Sequence, residues 1–184
     1  MREVRWTPEE GDGVEHLAFD ARADGFYAES VLIGERNGHP YGLSYRVKCD
    51  LQWRTVHAWL KVIGGPELDL HGDGEGNWHD GHGLVLASLA GCIDIDIAAT
   101  PYTNTLPIRR LQLAKGARET IPVAFISTPD LQISRVEQAY TCVEPGVEYR
   151  YQGIDTGFAA ELKVDEDGLV IDYPTMFTRT LPLA

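Results

Sequence analysis

Positive charge is scarce in this sequence. Its 16 lysines and arginines stand against 28 aspartates and glutamates, a formal net charge of −12 over 184 residues. Such a chain repels nucleic acid and anionic membrane surfaces, so neither is expected as a partner. Long apolar runs are missing too. No stretch approaches the roughly 18–20 residues that span a bilayer, so no transmembrane segment is expected. The opening MREVRWTPEEGDG has neither the apolar run nor the cleavage site of a signal peptide. Cysteine is limited to Cys49, Cys92 and Cys142, odd in number and well apart, each in or beside an apolar stretch. Reduced, structural thiols fit that pattern, and a cytoplasmic location is the expectation.

The signatures of several common chemistries are also absent. There is no His-Glu-x-x-His, no Cys-x-x-Cys pair and no Gly-x-Ser-x-Gly elbow. Glycine-rich pieces occur between His71 and Gly83, but no phosphate-binding helix pattern follows them, so no nucleotide cofactor is implied. That segment holds half of the six histidines and looks metal-rich. A calcium loop begun at Asp73 would need Glu at its twelfth position, where Leu84 stands. Two successive hairpin turns explain the segment better, and no metal or cofactor is expected.

What the chain does have is period-2 alternation, the mark of half-buried strands. Strands are expected at Glu15–Asp20, Phe26–Ile33, Tyr41–Cys49 and Leu51–Ile63, with Asn37-Gly38 as a tight hairpin turn between the second and third. In the last of these, Thr55, His57 and Trp59 should share one face. Later strands are expected at Ile121–Ser127, Ser134–Cys142, Val147–Tyr151, Phe158–Val164 and Leu169–Tyr173. Strand follows strand without intervening helices, which predicts a largely antiparallel, mainly β architecture. One segment differs. Thr105 to Gly116 reads as a helix capped by Thr103, Asn104 or Thr105, with Pro107 in its first turn and Gly116 as its stop. Apolar residues lie almost all round it, as in a helix wrapped by the sheet. With a hydrophobic share of 43% and no linker, residues 1–184 are expected to form one soluble domain.

The stretch Ile93-Asp94-Ile95-Asp96-Ile97 poses the functional question. As a strand it puts the isoleucines on one face and both aspartates on the other. Three readings of the pair stay open: ion pairs with Arg109 and Arg110, the lining of a ligand pocket, or a solvated rim. Paired carboxylates also occur in glycoside hydrolysis, roughly 5–10 Å apart. Side chains at i and i+2 of a strand lie about 6–7 Å apart, so spacing does not exclude that chemistry. Glu161, on the polar face of its strand, is the candidate second carboxylate.

The segments Gly76-Asn77-Trp78, Asp80-Gly81, Gly91-Cys92-Ile93-Asp94-Ile95-Asp96 and Thr100-Pro101-Tyr102-Thr103-Asn104-Thr105-Leu106-Pro107-Ile108-Arg109-Arg110-Leu111 resemble a bacterial family described as putative glycolipid-binding, long a domain of unknown function. Gln138-Ala139-Tyr140-Thr141, Tyr149-Arg150-Tyr151, Phe158 to Leu162 and Asp167 to Pro174 extend the likeness over nearly the whole chain. The resemblance implies a many-stranded curved sheet (a β-roll or half-barrel) around a single helix, a tight homodimer and an acidic pocket. It also implies a remote likeness to lipoprotein-carrier folds, which bind acyl chains. Those carriers work outside the cytoplasm, whereas no export signal is seen here. The expected ligand is a glycolipid or its sugar head. Asp94, Asp96 and Asn104 would accept or donate hydrogen bonds, Arg109 and Arg110 would orient the carboxylates, and Trp78, Tyr149 and Tyr151 would stack on a sugar ring. The alternatives are a small carboxylate-dependent enzyme using Glu161 on a sugar-containing substrate, or a dimeric scaffold without a ligand.

Overall fold

The backbone follows the alternation. The computed structural model describes residues 1–181, so residues 182–184 of the expected unit lie outside the described residues. Seven strands come first: β1 (Arg2–Pro8), β2 (Val14–Arg22), β3 (Gly25–Arg36), β4 (His39–Cys49), β5 (Thr55–Val62), β6 (Glu67–Gly72) and β7 (Trp78–Asp80). Next are β8 (Asp94–Ile97) and the helix α1 (Thr105–Leu111). Then follow β9 (Arg118–Ile126), β10 (Ile133–Glu144), β11 (Glu148–Gly153), β12 (Ala159–Val164), β13 (Val170–Tyr173) and β14 (Phe177–Leu181).

All fourteen strands form one curved, unclosed sheet in the order β7-β6-β5-β4-β3-β2-β1-β14-β13-β12-β11-β10-β9-β8. Two meanders therefore run outwards from a central seam between β1 and β14. Neighbours are antiparallel except β8, which runs parallel to β9. Alternate side chains of the first wing, among them Leu17, Leu43, Leu60 and Leu70, are fully buried with Tyr102 and Leu106 from the helical segment. Ile108 of α1 packs into a second cluster with Val123, Tyr140, Tyr149 and Leu162 of the other wing. The short helix thus sits between the wings, with Thr105 to Ile108 buried.

Local chemistry explains the turns. Asn37 and Gly38 both have positive φ, 52° and 78°, as a two-residue hairpin of the type I′ class requires. A Cβ at Gly38 would meet nothing within 4 Å, so the cost of Gly38→Ala is purely that of the left-handed backbone. Urea unfolding of that variant is expected to show a loss of about 1–2 kcal/mol with an unchanged slope. In the segment that looked metal-rich, Asp73 accepts from the amides of Glu75 and Asn77, and Asp80 from those of His82 and Leu84. These are side-chain-closed turns.

Several expectations need correction. The helix ends at Leu111, not Gly116, because Gln112 takes a left-handed conformation, φ 46°. The next residues bond to β10 instead, with Gly116 N–H donating to Cys142 and Cys142 N–H to Ala117. Asn104 occupies the cap position without a side-chain cap bond. Thr55 does not share the face of His57 and Trp59. A bulge between Lys48 and Cys49 pairs Cys49 with Thr55, and Thr55 is fully buried with its hydroxyl 3.9 Å from Cys49 Sγ. Finally, β1 and β14 were not anticipated as strands. Arg179 of β14 points inward with its side chain 7% exposed, which hides the alternation. It joins Arg2 of β1 on Asp165, and the Trp6 indole N–H ties the seam by donating to Val170 O at 2.8 Å.

Candidate functional site

The two aspartates of β8 share a face, as alternation requires, but their surroundings differ. Both faces of the strand are covered. Ile95 and Ile97 enter the first core cluster, and the aspartates turn towards α1 and β10. Asp94 is completely buried, and Arg110 grips it through Nε at 3.1 Å to both oxygens and Nη2 at 2.6 Å to Oδ2. This fork geometry satisfies the carboxylate. Burial pushes the Asp94 pKa up, and Arg110 opposes that shift.

Among the described residues Asp96 has no such cation. Its Oδ1 accepts from the Thr103 hydroxyl at 3.0 Å and its Oδ2 from Gln138 Nε2 at 2.7 Å. Desolvation raises its pKa, and those two neutral donors offset the rise only in part. A carboxylate offers about four acceptor sites, so two donors leave capacity for a further hydrogen bond. The neighbouring Tyr140 hydroxyl donates to Asn104 Oδ1 at 3.0 Å, so Asn104 belongs to the same polar group.

Asp96 and Asn104 line a cleft of about 290 Å3 whose other walls include Phe125, Tyr151, Phe158 and Tyr173. Tyr151 meets Tyr140 and Tyr173 edge-on, with ring centroids 5.5 and 6.3 Å apart. An adjoining cavity of about 320 Å3 shares Arg36, Ala98, Met176 and Phe177 with the cleft. Its wall carries a carboxylate that the sequence reading passed over. Glu15 is 3% exposed and receives hydrogen bonds from Ser30 at 2.8 Å and from Tyr45, both on Oε1. Oε2 has no partner. Burial pushes the Glu15 pKa up to about 7 against the opposition of its hydroxyl donors. Thr100 links the two cavities: it lines the cleft, and its Oγ1 lies 3.3 Å from Tyr45 Oη. Alternation carried the signal, since Glu15 shares one face of β2 with the buried Leu17 and Phe19.

The other proposed site residues lie elsewhere. Arg109 does not touch either aspartate. It stacks over Trp53, 5.3 Å from the ring centre, and donates to Glu166 O at 3.1 Å. Trp78 is a core residue, 3% exposed, with its indole N–H on Cys92 O at 2.7 Å, so its ring presents no stacking surface. Tyr149 shares the Tyr151 face, but it is buried and its hydroxyl accepts from Gly146 N at 3.1 Å. Glu161 is exposed opposite Arg150, on the face away from its buried neighbour Leu162. The structure thus brings Asp96, Asn104 and Tyr151 into one cleft, while Asp94 and Arg110 pair with each other and do not line it.

The cysteines are buried, and desolvation raises Cys49 to about 12 and Cys92 to about 11, well away from nucleophile chemistry. Among the described residues one group of metal-ligating side chains converges, His57, Asp69 and His71, on the outer face of the first wing. No helix of the described residues is long and apolar enough to cross a membrane.

Comparison with known proteins agrees with the fold. The comparison with curated proteins returns no match. A crystal structure of a DUF1089-family protein from Pseudomonas aeruginosa is 41% identical, superposes with a TM-score of 0.84, and covers 94% of each chain. The pattern of the family described as "Putative glycolipid-binding" matches residues 3–179, nearly the whole chain, and the chain therefore belongs to that family.

Proposed function

We propose that the protein binds the sugar head of a glycolipid in the cleft between β8, the segment Ala98 to Asn104 that leads into α1, and the second wing. One observation carries this reading: Asp96 is a desolvated carboxylate without a cation among the described residues, placed in the wall of an aromatic-lined cleft. A carboxylate with no stabilising ion pair costs the fold free energy, whereas one with a free acceptor site serves a hydroxyl-bearing ligand. Tyr151, Phe158 and Tyr173 supply faces and edges for the C–H surface of a sugar. Few polar groups in a mainly apolar cleft is the usual build of a small-ligand site. In this reading Asp94 and Arg110 pair with each other and do not line the cleft, and the family description fits the ligand class. The homodimer belongs to the same proposal. Val14, Ile33 and Ile63 are exposed, and Val14 and Ile33 lie opposite each other on neighbouring strands, an apolar surface a second copy would cover.

Calorimetric titration with alkyl glycosides, the matching free sugars and bare detergents of equal chain length tests the reading. The expected result is saturable binding of the alkyl glycosides, with Asp96→Asn and Tyr151→Ala each weakening it about 5–150-fold, the worth of one to three kcal/mol. Equal binding by wild type and Asp96→Asn, with both folded, would remove the aspartate from the site. Turnover of any glycoside would instead favour a carboxylate-dependent enzyme, with Glu15 rather than Glu161 as the cavity-lining partner.

A further inference from the structure

On the convex face of the first wing, three histidines form one row across three adjacent strands. His57 of β5 stands directly opposite His71 of β6, and His71 opposite His79 of β7. The ring centroids are 4.6 Å apart for the first pair and 5.2 Å for the second, which is stacked. Asp69 lies two residues before His71, so its side chain shares that face. Its Oδ1 sits 2.8 Å from His57 Nε2 and 3.2 Å from His71 Nε2. Both imidazoles therefore aim the same ring nitrogen at a single oxygen. The ligand atoms of these three residues all lie within 4.8 Å of one another.

We propose that His57, Asp69 and His71 form a binding site for a divalent transition-metal ion of the Zn2+ class. Tetrahedral zinc with bonds of about 2.0–2.1 Å places its ligand atoms about 3.3 Å apart, close to the separations already present. Two imidazoles and one carboxylate are borderline ligands that select Zn2+, Co2+ or Ni2+ over Ca2+ or Mg2+. The fourth position is left to water, since His79 stacks on His71 rather than pointing into the group.

The surroundings hold the ligands in place. Ala58 and Leu70, the fully buried neighbours of His57 and His71, anchor both strands in the core. The Gly81 amide donates to Asp69 O at 3.0 Å, and a Cβ at Gly81 would come within 2.7 Å of Asp69 Oδ2, so the turn after β7 closes directly on the carboxylate. None of its residues lines the Asp96 cleft, so the site stands independently of the ligand proposed there. A bound ion would clamp β5 to β6 beside the short edge strand β7.

The test uses the full chain, freed of metal by chelation, with Zn2+ and Co2+ as probes. One Zn2+ per chain should bind and raise the melting temperature, and Co2+ should give the visible absorption of a tetrahedral site. His57→Gln and Asp69→Asn both keep hydrogen-bonding capacity at half-exposed positions. Each is expected to melt like the metal-free wild type yet lose affinity by at least the roughly 10–100-fold that even an outer partner is worth. His82→Gln, on the neighbouring turn, should bind as the wild type does. Absence of saturable Zn2+ binding, or binding that survives in both ligand variants, would overturn the assignment.

Discussion

Replacing Arg110 by Met is expected to lower the stability of the fold by about 3–5 kcal/mol at pH 7, because it strands the Asp94 carboxylate in the interior. Asp94 is fully buried, the Arg110 side chain is 16% exposed, and three short N–O contacts join them. For a chain of this length that loss corresponds to a drop of roughly 6–20 °C in melting temperature. The deficit has a sign with pH. Protonation removes the stranded charge, so the gap to wild type should narrow in acid and be full at neutral pH. Replacing both partners, as Asp94→Leu/Arg110→Met, removes the unpaired charge and should recover most of the loss. Denaturant unfolding of the two single variants and the double at pH 5 and 8 measures the coupling. A single-variant loss under about 1 kcal/mol would mean that Asp94 is satisfied by something other than Arg110.

Glu15 should contribute a second, separable part of the pH dependence. Its folded-state pKa of about 7 stands above the ordinary 4.5. A group raised in the folded state contributes stability that is full below 4.5 and is lost as pH rises through 7. The difference amounts to about 3 kcal/mol between the two limits. Wild-type stability is therefore expected to fall between pH 5 and 8.5, and Glu15→Gln to flatten that part of the curve. The amide nitrogen of the variant would be buried at the position of the unpartnered Oε2, which costs about 1–3 kcal/mol at every pH. The slope, rather than the absolute stability, is thus the informative quantity. An unchanged slope in the variant would show that Glu15 is ionised throughout the folded state.

The strand ladder was legible in sequence wherever one face is apolar and the other polar. The Asn37-Gly38 turn and the Ile93–Ile97 alternation translate directly into structure. The seam strand β14 was not, because Arg179 is turned inward to meet Asp165. Alternation places Asp94 and Asp96 on one face but does not tell them apart. Their difference depends on Arg110 reaching one of them and on Thr103 and Gln138 reaching the other. Gln138 is 42 residues away in sequence, so only the fold supplies that contact. The same holds for His57 and His71, which become neighbours through the β5–β6 register. Trp78 shows the opposite error. An indole beside a turn reads as a platform, but its N–H is spent on Cys92 and its ring on the core.

The central claim, that the Asp96 cleft is a ligand site, is tested most directly by amide NMR of the protein titrated with a short-chain alkyl glycoside. The account predicts concentration-dependent shifts gathered on Asp96, Asn104, Tyr151, Phe158 and their strand neighbours, abolished in Asp96→Asn while the rest of its spectrum keeps the wild-type pattern. Shifts confined to the convex face, or no shifts at a glycoside concentration well into the millimolar range, would contradict it.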